Sequence, residues 1–271
     1  MKLSFGRTRQ NDRPRQVATN GSDLWCIPLA LLVATVAAAG EPSDDPWATI
    51  LAKRVRATGE VAYRSLERND AALLDRVLAG LADVDATRLD RDHAVAFWIN
   101  AYHALVIAAV VHGERPETVP QRARMFHWFG ERIAGARRTL DDVRVILGGY
   151  ASADPRIHLA ISNGTLGGPP LVAEPYAAER LDSQLARAAY RFVNAPEYNL
   201  ADPSTGRVEV SRLFGWYRPD FERQAGSLAD FLRPFAARSD LRDMLNVAGV
   251  TIAYRPFDWR LNAAAGERPG E

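Results

Sequence analysis

Cysteine is almost absent from this chain of 271 residues, and the one present is Cys26. It lies in the uncharged segment 24–40, ahead of most of that segment's apolar residues, whereas a lipoprotein signal places its cysteine after the apolar run. Lipidation is therefore not expected. If the segment is removed, the protein that remains has no disulfide, no thiolate nucleophile and no thiolate metal ligand. Excess charge is lacking too: 34 Lys and Arg face 33 Asp and Glu, giving a formal net charge of +1. The two signs are interspersed, so the basic stripe of a nucleic-acid-binding protein is missing and no nucleic-acid partner is expected. The five histidines, His93, His103, His112, His127 and His158, fall in no His-Glu-x-x-His or comparable ligand spacing, so no metal is expected. No glycine-rich loop ends in Lys-Ser/Thr, so nucleotide binding is not expected, and nothing implies a cofactor.

What is present begins with an N-terminal pattern. Lys2, Arg7, Arg9, Arg13 and Arg15 precede 17 uncharged residues, 24–40, that end in Ala37-Ala38-Ala39-Gly40. A basic flank, an apolar run and a small-residue exit make a secretory signal, with Ala37 and Ala39 at the −3 and −1 positions of a cleavage site. The favoured reading of 1–40 is a cleaved signal peptide and a periplasmic or secreted protein. The alternative is an uncleaved membrane anchor, the segment being at the short limit for a spanning helix.

Residues 46–262 read as a single domain, with a disordered tail over 263–271. Helical spacing is plain over 47–57 and 71–81, the latter with Asp70 as N-cap. Residues 94–111 contain 18 uncharged positions in a row. Asn100 and His103 share a face of that helix, which suits the buried central helix of a soluble domain better than a membrane span. A short aromatic strand or loop is expected over 125–129, helices over 140–147, 179–193, 228–236 and 240–246, and strands over 156–161, 207–210 and 250–254. Helices outnumber strands without alternating regularly. The expected class is α+β, a mainly helical single domain around a small, mostly antiparallel sheet.

Residues 154–171, Asp-Pro-Arg-Ile-His-Leu-Ala-Ile-Ser-Asn-Gly-Thr-Leu-Gly-Gly-Pro-Pro-Leu, are the most informative stretch. Read as a strand, 156–161 puts His158, Ala160 and Ser162 on one face, feeding a loop in which Gly164, Gly167 and Gly168 permit close backbone approach. Such a loop either presents backbone N–H groups to an anion or forms a tight structural crossover.

Three further segments, Ala96–Leu105, Val210–Phe221 and Phe257–Asn262, join 154–171 in an order and wording that resemble the bacterial and plant family called domain of unknown function 547. The likeness spans about 60–262 and implies one compact domain whose motif residues gather at a common site. The family typically has cysteine where Asn163 stands, Ser-Cys where Gly167-Gly168 stand, and asparagine where His103 stands. Any thiol chemistry of the family is therefore missing here.

His158 is the leading candidate for a general base or acid, set against a half-buried structural histidine. Asp258, between Phe257 and Trp259, is either its orienting partner or the anchor of an ion pair with Arg156 or Arg260. Helix, His-bearing strand and Asp-bearing strand follow in the order of papain-like and transglutaminase-like thiol enzymes, but without the cysteine that opens the helix in those. The expected site has His158, Asp258 and Asn100 as catalytic residues and His103, Ser162, Asn163, Gly164, Thr165, Gly167 and Gly168 as binding residues. Ser162 or Thr165 would be the substitute nucleophile. Phe214, Trp216, Tyr217 and Phe221 read as core packing, with Ser211 as a helix cap. The functional expectation is a hydrolase or acyl-transferase relative without a thiol, and the alternative is a non-catalytic binding or scaffold module of the cell envelope. Its partner would be a small-molecule or envelope ligand, with membrane contact only through an uncleaved N-terminal segment.

Overall fold

The computed structural model describes residues 45–269, so the signal or anchor segment 1–40, with Cys26, Ala37 and Ala39, lies outside the described residues. Five helices build the first half: α1 (Pro46–Arg54), α2 (Tyr63–Asn69), α3 (Ala71–Ala82), α4 (Arg91–Val111) and α5 (Val119–Ala123). A single π-helical turn, Arg124–Trp128, leads into the hairpin β1 (Gly130–Ile133) and β2 (Ala136–Thr139), then α6 (Leu140–Ala151) and a 3-10 helix, Pro155–Leu159. The second half holds α7 (Leu181–Asn194), β3 (Leu200–Asp202), β4 (Arg207–Ser211), α8 (Arg212–Trp216), α9 (Arg218–Ala225), α10 (Leu228–Leu232), α11 (Ser239–Leu245) and β5 (Thr251–Arg255). The class is α+β and mainly helical, as expected. β1 pairs with β2 antiparallel; β4 is central in the other sheet, antiparallel to β3 and parallel to β5.

Helix α4 organises the larger core. The Asp90 carboxylate accepts the His93 N–H at 3.0 Å and caps its start. Its far end closes at Gly113, whose φ of +91° a side chain would strain. A helix apolar on every side must be covered on every side. It alone among the described helices is long and apolar enough to cross a membrane, and 83% of its apolar window is buried within the protein. Trp47, Leu51, Leu66, Leu74, Val143 and Leu147 supply much of that cover. A second apolar cluster joins α7 to the three-stranded sheet through Phe192, Val208, Val210, Phe214, Phe221 and Phe231.

Several expectations are corrected. Residues 155–159 form a 3-10 helix, not a strand. Pro155 stands at the first helical position, where its missing N–H costs nothing, and the Asp154 carboxylate accepts the Arg156 N–H at 3.2 Å. Residues 124–128 wind into a π turn rather than a strand or loop. Asp70 does not cap α3 with its side chain, because Arg54 occupies the carboxylate. Ser211 does cap α8, accepting the Leu213 N–H at 3.3 Å. Glu267 accepts the Ser65 N–H at 2.9 Å and Arg268 pairs with Glu117. Ala263 also bridges to Val61.

Candidate functional site

The two apolar clusters meet around a cleft of about 430 Å³. Its walls are aromatic: Tyr102 from α4, Phe126 from the π turn, Trp216 and Tyr217 from the end of α8, and Trp259. Arg122 lies over the Trp259 ring, 4.3 Å from its centroid. Polar groups enter from His127, Asp141, Arg144, His158 and Asn163.

His158 is 5% exposed and its ring is stacked on Tyr217, with centroids 3.8 Å apart and 11° between planes. Phe221 meets the ring edge-on at 5.9 Å. Its carboxylate partner is Asp220, in the first turn of α9: His158 Nε2 lies 2.9 Å from Asp220 Oδ2. The other oxygen of Asp220 accepts from Arg223 at 2.8 Å. Burial pushes the Asp220 carboxyl upward, but the His158 and Arg223 hydrogen bonds outweigh it and hold the group below its ordinary range. Burial likewise depresses the His158 imidazole, against the opposing pull of Asp220 and with help from the Arg144 charge. At neutral pH the pair is therefore a carboxylate and a neutral imidazole. The carboxylate fixes the tautomer with Nε2–H donating, leaving the lone pair on Nδ1. Nδ1 bonds to nothing among the described residues.

A second polar chain runs beside it. Asp141, early in α6, bridges two partners: one oxygen touches His127 Nδ1 and the other accepts from Arg144 Nε at 3.1 Å. The Arg144 pKa is raised despite burial, by Tyr217 and Asp141. Arg144 thus ties the His127 side of the cleft to the ring on which His158 is stacked.

The remaining expected site residues divide sharply. Asp258 does not meet His158. Its carboxylate folds back on Arg260, accepting Arg260 N–H and Nε at 3.0 Å each, and it lines a separate hollow with Gly167. Of the two partners foreseen for an ion pair, Arg260 is the real one; Arg156 is held by Asp154 and Asp182. Asn100 lies away from the cleft with both ends of its amide bonded. Its Oδ1 accepts from Trp47 Nε1 at 3.2 Å and the Tyr176 N–H at 2.9 Å, while Nδ2 donates to the Tyr176 carbonyl at 2.8 Å. It clamps the 176 loop to α4. His103 is 2% exposed and its Nε2 accepts the Ser162 N–H at 3.0 Å. Burial brings its pKa down to about 3, against an opposing hydrogen bond to the Ala160 backbone. A neutral His103 therefore fixes the chain just after the 3-10 helix that carries His158.

The glycine loop is a crossover with five of its backbone donors spent. Ser162 N–H goes to His103, Thr165 N–H to Asn163, Leu166 N–H to Arg260, Gly167 N–H to Asp258 and Gly168 N–H to Thr165. No anion nest is left among those groups. Gly167 is glycine because a Cβ there would lie 2.6 Å from the Asp258 nitrogen. At Gly164, φ is +78° and a Cβ would lie 2.9 Å from Val106 Cγ1. Ser162 Oγ is buried without a partner and Thr165 Oγ1 donates to Asn163 Oδ1 at 2.6 Å, so neither faces the cleft as a nucleophile. Within the loop, Asn163 alone reaches the cleft. Its Oδ1 is occupied by Thr165, which orients the amide and leaves Nδ2 without a protein partner among the described residues.

Reading the sequence missed Asp220, Arg144, Tyr217 and the His127–Asp141 contact as site groups. Asp220 and Tyr217 stood within a quoted motif, 210–221, and Pro219-Asp220 carries the marks of a helix start. Phe214 and Phe221 are core as expected, but Trp216 and Tyr217 line the cleft. Arg144 and Asp141 gave no local signal beyond their spacing of three on a helix. No group of three or more His, Cys, Asp or Glu side chains suited to a metal ion occurs among the described residues.

Fold and site together define a mainly helical α+β domain with a carboxylate-oriented histidine in an aromatic cleft. Residues 86–193 match the model of the family described as a protein of unknown function, DUF547. The resemblance read from the motifs holds over that segment, which contains 96–105 and 154–171; the motifs at 210–221 and 257–262 lie beyond it. No curated protein and no solved structure matches the chain.

Proposed function

We propose that the cleft hydrolyses acyl substrates by direct activation of water, without a covalent intermediate. One observation carries this reading: a neutral His158, oriented by Asp220 and with Nδ1 free, opens on a cleft whose lining, among the described residues, includes no serine, threonine or cysteine. Such a histidine has no side-chain nucleophile to activate, so its partner is water. Water gives its proton to Nδ1 as its oxygen adds to the acyl carbon. Asn163 Nδ2 and the Arg144 guanidinium are the donors available to the resulting oxyanion. The aromatic walls suit an apolar or planar acyl group.

The test is release of p-nitrophenolate from p-nitrophenyl acetate and butyrate by the wild type and His158→Gln. The variant is expected to lose about 10²- to 10⁴-fold in rate, with its melting temperature within a few degrees of the wild type. The same lining, without serine, threonine or cysteine among the described residues, also suits a non-catalytic binding or scaffold module of the cell envelope. A wild type without turnover favours that second reading, and a variant as fast as the wild type removes His158 as the base.

We also propose export. The basic flank, apolar run and Ala37-x-Ala39 exit support it. The mass of protein recovered from the exported fraction is expected to place the N-terminus at Gly40; an intact 1–39 overturns cleavage.

A further inference from the structure

The cleft contains a second histidine that the water-activating pair does not use, and its surroundings are built. His127 sits in the π turn Arg124–Trp128, marked by the Phe129 N–H bonding the Arg124 carbonyl at 2.8 Å. π turns are rare and are frequently found at functional sites. Arg137 braces this turn by donating to the Trp128 carbonyl. Asp141 holds His127 through Nδ1, and the same carboxylate holds Arg144. The side chain of His127 keeps 60% of its surface in solvent, so its proton can be renewed from water. The two His–carboxylate pairs differ in their setting: His158 is enclosed and neutral, while His127 is open to solvent and held by Asp141.

We propose that His127 is the general acid of this site and that its substrates are esters or amides with poor leaving groups. This rests on the hydrolytic reading of His158. In the balanced reaction the water oxygen bonds to the acyl carbon and its proton passes to His158 Nδ1. The tetrahedral oxyanion then re-forms the carbonyl as the bond to the leaving oxygen or nitrogen breaks, and His127 protonates that atom. The products are a carboxylic acid, which loses its proton to solvent as a carboxylate, and an alcohol or amine. His158 returns its proton to solvent and His127 takes one back.

A leaving group that departs as a stable anion gains little from an acid, whereas an alkoxide or amide anion gains much. The experiment therefore compares kcat/KM for p-nitrophenyl, phenyl and ethyl acetate in the wild type, His127→Gln and His158→Gln. In His127→Gln the loss is expected to be about 10²-fold or more greater on ethyl acetate than on p-nitrophenyl acetate. In His158→Gln all three substrates are expected to fall together. Equal losses across the series in His127→Gln overturn the proposal, and so does no loss on any of them. A folding defect is separated by Asp141→Asn, which keeps the shape of the contact and is expected to steepen the same leaving-group dependence. If His158→Gln keeps its rates, the base assignment fails instead, and the leaving-group comparison for His127 still stands on its own.

Discussion

Asp220→Asn is expected to cut p-nitrophenyl acetate hydrolysis by about 10²- to 10⁴-fold and to leave the fold intact. The carboxylate does two things for His158. It accepts Nε2–H, which keeps the lone pair on Nδ1, and its charge stabilises the imidazolium formed when water is deprotonated. An asparagine can turn its amide and donate to Nε2, which moves the ring proton to Nδ1 and removes the base. Even in the other orientation, the charge is gone. The loss of two charge-assisted bonds, to His158 and Arg223, costs on the order of 1–3 kcal/mol of stability.

The pH profile gives an independent reading. The base works only when unprotonated, so the wild-type rate falls as pH drops through the His158 pKa, which lies below the ordinary 6.5. Asp220 is the group that raises it; Arg144 and burial lower it. Removing the carboxylate therefore moves the acid limb to still lower pH. An unchanged rate with an unmoved limb would show that Asp220 does not govern His158.

His103→Asn is expected to flatten the acid sensitivity of folding. In the folded protein His103 stays neutral until about pH 3, while in the unfolded chain it takes a proton near its ordinary 6.5. Between those values the unfolded state binds more protons, so stability falls with pH by on the order of 1.4 kcal/mol per unit. Its full contribution is present above 6.5 and is lost progressively below. Asparagine does not titrate, and it is the residue that the resembled family typically has at this position. Its shorter side chain loses the acceptor for the Ser162 N–H, costing about 1–3 kcal/mol at pH 7.5. By pH 4.5 that gap should have narrowed by about 2–3 kcal/mol. Urea denaturation at the two pH values measures both, and identical pH slopes for the two proteins would refute the assignment.

The central helix was legible in the sequence because its signal is local and long: 18 uncharged positions in a row admit only a covered helix or a membrane span. The general place of the site was legible too. Glycines at 164, 167 and 168 beside His158 mark tight backbone, and His158 and Asn163 do line the cleft. The element carrying His158 was misread, since alternation over five residues fits a strand while Asp154-Pro155 opens a 3-10 turn.

The sequence by itself determined the class of fold, the buried helix, and the absence of thiol chemistry outside the 24–40 segment. Only the tertiary structure decided which groups work together. His158 and Asp220 are 62 positions apart, and Asp258 offered an equally plausible carboxylate along the chain. Helical and strand periods constrain neighbours within a few residues. Which carboxylate meets a histidine depends instead on how α9 packs against the 155–159 turn. Asp258 was lost to Arg260, two residues away, by the same local bonding that made it conspicuous.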